Sequence, residues 1–289
     1  MNRKLALLAL SVAVLATPRA RAEEELIAYS VVEAQSLLDN FKATYKSSKS
    51  PEEDAINSLT GLVDAYRYLN SKGEEATKDE QKMKKAIIKM VAKGLNARNR
   101  PRVNVECARA LGKMGDEQGA KPLLKWMDGT VLDMKSPNAG WVEYGFRSMA
   151  WIGSSDRGTL DFVRSYATGK HVDITVASHA LMAMEQWKSL PGKTRKEYFI
   201  KVQQYMGGLW SLKNGSDAKK RGEAEQKYNT IKDNGLKVLH QLSGNDKPFA
   251  DPNEAFLWLK ENKKKKWTEY VGPKFRKKAA PKTDAKPKE

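Results

Sequence analysis

The segment Ala108-Arg109-Ala110-Leu111-Gly112-Lys113-Met114-Gly115-Asp116 has two weaker copies later in the chain. Phe146-Arg147-Ser148-Met149-Ala150-Trp151-Ile152-Gly153 begins 38 residues further on, and Ser178-His179-Ala180-Leu181-Met182-Ala183-Met184-Glu185 begins 32 residues after that. A sequence that recurs with such a period is typical of proteins built from stacked copies of one structural unit. We therefore expect a repeat architecture, clearest over residues 102–187.

The aligned copies share small and apolar positions. Two columns contain only small residues: Cys107, Gly145 and Ala177 in the first, and Ala110, Ser148 and Ala180 in the second. Positions 107, 111 and 114 are spaced i, i+4, i+7, which places them on one face of a helix. A turn and a second apolar set follow each of the first two copies. Each unit is thus predicted to be a helix, a short turn and a second helix, with the small residues allowing close contact between units.

The first copy, extended to Ala120, resembles the Ala-Arg-x-x-Leu-Gly-x-x-Gly-Asp segment of the HEAT-like repeat family, and it is similar to the bilin-lyase-type HEAT repeats. The second copy keeps Arg147 and Gly153 but has Ser154 in place of Asp116. The third has His179 for the arginine and Glu185 for the glycine, so its turn departs from the pattern. The resemblance implies an α-solenoid that binds other macromolecules, and a tetrapyrrole-handling enzyme is a further alternative.

Helical patterns also dominate outside the repeats. Two predicted capping boxes begin helices at Ser50-Pro51-Glu52-Glu53 and Thr77-Lys78-Asp79-Glu80. Asn234-Gly235 lies within a long helical pattern and is expected to kink or break it. No convincing alternating strand pattern occurs. We therefore predict an all-α fold, an α-solenoid of stacked antiparallel hairpins over residues 23–262, with a basic, disordered C-terminal tail.

The N-terminus has the pattern of a secretory signal peptide over residues 1–22. A basic Asn2-Arg3-Lys4 precedes an apolar run of twelve positions, Leu5 to Ala16, with Ser11 as its one polar residue, and Ala20-Arg21-Ala22 matches a cleavage site. A membrane anchor is the alternative interpretation, but a spanning helix needs about 20 apolar residues. We expect an exported protein that is periplasmic or secreted after cleavage near Ala22, without a transmembrane segment in the mature chain.

The basic charge is concentrated at the C-terminus. The formal net charge is +17, and loss of the four cationic residues of the signal peptide leaves +13. Residues 263–289 carry eleven Lys or Arg and three acidic residues, a net +8, so the body carries only +5. Two interpretations are open: a solvated tail that promotes solubility, or an arm that binds polyanions such as anionic envelope polymers or lipid head groups.

The candidate polyanion-binding residues form two clusters in this tail. They are Lys263, Lys264, Lys265, Lys266 and Trp267, followed by Lys274, Arg276, Lys277 and Lys278. Trp267 has two possible roles, either contacting the polyanion or packing against the end of the helical body. Nucleic acid is an unexpected partner for an exported chain.

The candidate partner-binding residues are Arg109, Arg147 and His179, which occupy one column of the repeat. They could form a basic ladder for carboxylates of a protein or peptide partner, or they could pair with groups of the neighbouring repeat. No catalytic, metal-binding or cofactor-binding motif is recognised: the three histidines lack metal-ligand spacing. Cys107, the only cysteine, is predicted to be a buried small residue. We expect a non-enzymatic exported scaffold, with a polyanion-binding envelope protein as the alternative.

Overall fold

The structure, a computed structural model, describes residues 26–132 and 139–267. The predicted signal peptide and the tail from residue 268 onward lie outside these residues. Within them every regular element is a helix, and the all-α prediction is confirmed. The eleven α-helices are α1 (Val31–Thr44), α2 (Glu52–Ser71), α3 (Lys78–Gly94), α4 (Pro101–Met114), α5 (Ala120–Trp126), α6 (Ala139–Ile152), α7 (Arg157–Ala167), α8 (Ile174–Met184), α9 (Gly192–Lys213), α10 (Ala218–Ser243) and α11 (Pro252–Asn262).

The helices pack as neighbours in a regular order. The even-numbered helices form one series of contacts, in which α2 packs on α4, α4 on α6, α6 on α8 and α8 on α10. Among the odd-numbered helices, α1 contacts α3, α5 contacts α7, α7 contacts α9 and α9 contacts α11. Helices that follow each other in the chain, such as α7 and α8 or α9 and α10, also pack together. Each helix from α1 to α10 therefore has neighbours from both series.

The first two repeat copies end in the same turn. Gly115 follows α4 and Gly153 follows α6, and both adopt the left-handed conformation, with φ of 63° and 62°. After the first turn, the Asp116 carboxylate accepts a hydrogen bond from the amide of Gln118; after the second, the Ser154 hydroxyl accepts one from the amide of Asp156. Serine therefore replaces aspartate in the second copy without loss of the backbone hydrogen bond, because either side-chain oxygen can accept it.

The third copy ends differently. Glu185 has φ of −57° and continues into a 3₁₀ turn, Glu185–Ser189, before α9 begins. A left-handed turn residue disfavours side chains larger than glycine, so the Gly-to-Glu change is accompanied by a different connection.

The small columns of the repeat are buried, and they bring the helices close together. Cys107, Ala110, Ser148, Ala177 and Ala180 are all at most 3 % exposed. The two backbones meet at the second column: a Cβ built on Gly112, two residues after Ala110, would lie 2.8 Å from the Cα of Ser148. The backbones of α4 and α6 therefore approach too closely for any side chain at position 112.

Two expectations about helix punctuation are wrong. Ser50 does not begin α2: Pro51 is the N-cap residue, and no side chain caps this helix. The predicted break at Asn234-Gly235 is also absent, because α10 runs unbroken from Ala218 to Ser243. The glycine has a packing role instead, since a Cβ at Gly235 would lie 2.2 Å from Sδ of Met206 on α9. By contrast, Thr77 and Glu80 form the predicted capping box of α3.

Candidate partner-binding groove

An open groove with a volume of about 410 Å³ lies between α2 and α4. Its floor is apolar and consists of Ile56, Leu59 and Val63 from α2 and Ala110 from α4. The α2 residues are spaced i, i+3, i+7, which places them along one face of that helix. Ala110 belongs to the second small column, so the side of α4 that faces α2 has no large side chain at this point. The same small residue that suits helix packing thus leaves the groove open.

The rim of the groove is charged. Asp64 and Arg67 come from α2, and Glu106, Arg109 and Lys113 come from α4. Nη1 of Arg109 donates a hydrogen bond to Oε1 of Glu106 at 2.7 Å. Lys113 is exposed and forms no ion pair with any residue that the structure describes. Three cationic groups and two carboxylates leave the rim with one excess positive charge.

Of the three aligned residues Arg109, Arg147 and His179, only one lies at the groove. Arg109 lines the groove, whereas Arg147 and His179 do not. Arg147 forms its own ion pair with Glu143 of the same helix, at 2.6 Å between Nη2 and Oε1. Both arginines are therefore held by a carboxylate one turn earlier on their own helix. Arg109 also makes a cation–π contact with a neighbouring helix, because its guanidinium lies 5.3 Å from the ring centroid of Tyr144 on α6.

His179 lies on α8 in a mixed electrostatic environment. Burial lowers the pKa of its imidazole, and the nearby Arg147 charge lowers it further. Glu143 and Asp173 act in the opposite direction and raise the pKa. Because the burial effect is the largest, the neutral imidazole is favoured in the folded protein. This histidine is therefore a weaker candidate for a cationic contact than the two arginines.

The candidate column of Arg109, Arg147 and His179 does not include two aromatic residues of α6 that contact α4. The guanidinium of Arg109 lies over the ring of Tyr144. Trp151 has a large, apolar side chain, yet it is 46 % exposed. A Cβ on Gly112 would lie 2.9 Å from Cε3 of Trp151, so the indole ring rests on α4 beside Lys113. The exposure of Trp151 could have been inferred from the alignment of the copies, because Trp151 aligns with the exposed Lys113. Asp64 and Arg67 had no such signal, since they come from a helix outside the recognised repeats.

The start of the basic tail divides into exposed and buried parts. Lys263, Lys264, Lys265 and Lys266 are exposed. Trp267 is only 9 % exposed and meets the rings of Phe199 and Trp258 edge-on at 5.4 and 5.2 Å between centroids. Trp267 therefore packs against the helical body, which is one of the two roles that the sequence leaves open. The other candidates, Lys274, Arg276, Lys277 and Lys278, lie outside the described residues.

The environment of Trp267 also explains a glycine at the start of α9. A Cβ on Gly192 would lie 2.2 Å from the carbonyl oxygen of Trp267. The indole Nε1 donates a hydrogen bond to the carbonyl oxygen of Asn262 at 3.2 Å. The four lysines therefore lie on a short segment that is fixed to the body at both of its ends.

Cys107 is fully buried, as predicted, and burial strongly raises the pKa of its thiol. A Cβ on Gly94 would lie 2.4 Å from its sulfur, so the thiol fills a tight contact between α3 and α4. A thiol in such surroundings is neutral and inaccessible, which disfavours a role as a nucleophile. Among residues 26–132 and 139–267, no cluster of three or more His, Cys, Asp or Glu could hold a metal ion.

Comparison of the chain with protein-family models, with curated proteins and with solved structures gives no match. In the part of the chain that the structure describes, no helix combines the length and the apolar character needed to span a bilayer.

Proposed function

We propose that this protein is an exported, non-enzymatic repeat scaffold that binds a protein or peptide partner through the face formed by α2, α4 and α6. In this proposal the helices form a two-layer α-solenoid related to HEAT-like repeats. Two observations support the solenoid: the unbroken series of contacts from α2 to α10, and the identical left-handed turns at Gly115 and Gly153. Repeat stacks of this kind provide extended surfaces on which a partner can lie.

The observation that carries the proposal is the combination of an apolar groove with partly exposed aromatic and arginine side chains. Arg109 lies at the rim of the groove, its guanidinium is held over Tyr144, and Trp151 is exposed on the next helix. Tryptophan, tyrosine and arginine are the residues most enriched among those that dominate binding energies at protein interfaces. Arg109 is also pre-positioned by Glu106 and Tyr144, which reduces the conformational entropy lost on binding.

The composition of the groove indicates the chemistry of the partner. The apolar floor suits one or two aliphatic side chains, and a volume of about 410 Å³ falls within the usual range of small binding sites. The excess positive charge at the rim favours a carboxylate beside them. We therefore expect a peptide segment in which an acidic residue neighbours apolar ones.

The test is affinity capture, with crosslinking, from the envelope fraction using the chain from Glu23 to Glu289. Arg109→Glu and Trp151→Ala should each abolish or strongly reduce capture of a discrete protein. Two controls make comparable changes at exposed positions elsewhere: the same charge reversal in Arg221→Glu on α10, and truncation of an exposed apolar side chain in Leu212→Ala on α9, where the side chain is 47 % exposed. Equal capture by all four variants would show that this face does not bind the partner.

A second candidate function is polyanion binding through the basic tail. The observation in its favour is that Lys263, Lys264, Lys265 and Lys266 are exposed and form no side-chain ion pair with any described residue. Binding of this kind should weaken steeply as salt concentration rises, because it depends on the release of counterions. Binding to anionic vesicles that is insensitive to salt would exclude this function.

A further inference from the structure

A second groove, between α3 and α5, differs from the first in having only positive charges. Its volume is about 490 Å³. Lys85, Lys89 and Lys93 line it from α3, and we call it the lysine groove. Ile88 and Ala92 lie between these lysines, and Pro122 faces them from α5. The three lysines are exposed and are spaced four residues apart, so they form one stripe along the helix.

The charges of the lysine groove are not neutralised within the described part of the chain. Lys85, Lys89 and Lys93 form no hydrogen bond or ion pair there, and no carboxylate lines the groove. Other lysines of the same helix do have partners: Lys82 pairs with Asp79, and Lys84 donates to Asn70. Like charges at i, i+4 destabilise a helix, so this stripe has an electrostatic cost that a bound anion would relieve.

The nearest acidic residues of the α4–α5 turn are engaged elsewhere. Asp116 accepts hydrogen bonds from the Tyr66 hydroxyl at 2.5 Å and from the amide of Gln118. Glu117 accepts one from the hydroxyl of Ser154 at 3.1 Å. The positive side of the groove is extended by Lys121 and Lys125 on α5, which are also exposed. These neutral donors leave Asp116 and Glu117 charged, but neither carboxylate lines the groove, so positive charge predominates along the groove itself.

We propose that the lysine groove binds an acidic protein segment in an extended conformation. Four helical residues advance about 6 Å, which sets the spacing of successive lysines along α3. In an extended peptide, every second residue lies on the same side, about 6.6 Å apart. A segment with an acidic residue at alternate positions thus places one carboxylate near each lysine.

Other features of the groove favour a peptide over a nucleic acid. Among the residues that the structure describes, no aromatic side chain lines the groove, whereas single-stranded nucleic acids are usually bound by stacking on aromatic rings. The same described lining contains no arginine, the residue best suited to bidentate contacts with phosphate. Asn96 and Gln118 also line the groove and provide amide groups that can pair with a peptide backbone. The lysine groove is independent of the α2–α4 groove, so either proposal can fail without the other.

The test uses fluorescence anisotropy with the chain from Glu23 to Glu289 and a labelled decapeptide of alternating Glu and Val. The groove variant is Lys85→Ala/Lys89→Ala/Lys93→Ala. The control variant removes three exposed lysines of α10, Lys219→Ala/Lys227→Ala/Lys232→Ala, and therefore has the same net charge. Because alanine is a strong helix former, both variants should fold, which circular dichroism would confirm. Lys89→Ala alone serves as a milder second variant.

The proposal predicts that the groove variant binds the peptide at least tenfold more weakly than wild type, and that Lys89→Ala weakens binding several-fold. The control variant should change affinity by less than twofold. A decapeptide with five consecutive Glu followed by five Val should bind wild type more weakly than the alternating one. Equal losses in the two triple variants would overturn the proposal, as would the absence of binding. Tighter binding of oligo-dT than of the peptide, lost in the groove variant, would assign the groove to nucleic acid and would also overturn it.

Discussion

Replacement of Gly112 by alanine should destabilise this protein, although alanine is normally the better helix residue. In an exposed helix interior the change from Gly to Ala stabilises by about 0.5–1 kcal/mol. At position 112 the new Cβ would lie 2.8 Å from the Cα of Ser148. Carbon atoms in contact prefer at least about 3.5 Å, so α4 and α6 must separate by about 0.7 Å. Such overpacking costs about 1–3 kcal/mol, and backbone atoms cannot rotate out of the way. We expect a net loss of about 1–2 kcal/mol in the free energy of unfolding, from the two opposing effects.

The matched control is Gly208→Ala on α9. Gly208 is exposed, lies within the helix, and a Cβ built on it meets nothing within 4 Å. Urea unfolding followed by circular dichroism should show this variant to be about 0.5–1 kcal/mol more stable than wild type. The two variants should therefore shift the midpoint of unfolding in opposite directions. If Gly112→Ala were as stable as Gly208→Ala, α4 and α6 would not be as close as described, and the packing of these two helices would need revision.

Three further predictions follow from buried groups. Cys107 should not react with a soluble disulfide reagent in the native protein and should react on unfolding, because it is fully buried and its thiol pKa is raised; rapid labelling of the native protein would contradict this. Since the pKa of His179 is lowered by folding, its contribution to stability is present above the unfolded value of about 6.5 and is lost as pH falls through the lower folded value. Unfolding free energies measured between pH 5 and 8 should accordingly vary less in His179→Gln than in wild type, and an unchanged pH dependence would argue against this contribution. Gly192→Ala should displace the carbonyl of Trp267 and increase solvent quenching of tryptophan fluorescence. The same substitution in a Trp267→Phe background should have little effect on the fluorescence. An equal increase in quenching in that background would point to another tryptophan.

The secondary structure was largely predictable because its determinants are local. The spacing of apolar residues and the cap at Thr77 depend on residues within a few positions of each other. The equivalence of the Gly115 and Gly153 turns could also be inferred, since both copies keep the glycine that a left-handed turn favours. Local signals failed at Gly235, where the requirement for glycine comes from Met206 on another helix. A tertiary contact of this kind leaves no pattern in the neighbouring sequence.

The candidate site was predictable only in part for the same reason. The repeat register identified Arg109, which lines the α2–α4 groove. It also grouped Arg147 and His179 with it, although these side chains lie outside the groove. The α2 wall, with Asp64 and Arg67, requires knowledge of which helix packs on α4. Trp267 is a case in which the sequence left two roles open, polyanion contact or packing on the helical body, and the tertiary contacts of its ring with Phe199 and Trp258 favour packing.

The most direct test of the proposed scaffold function places a photo-crosslinking amino acid either in the groove or in the basic segment. Thr60 is exposed and lines the groove, and Lys264 is exposed in the segment that leads to Trp267. Both variants would be irradiated with the envelope fraction at low and at high salt. The scaffold function predicts that one discrete protein is crosslinked from position 60 at both salt concentrations and not from position 264. Crosslinks that form only from position 264, and that disappear at high salt, would contradict it.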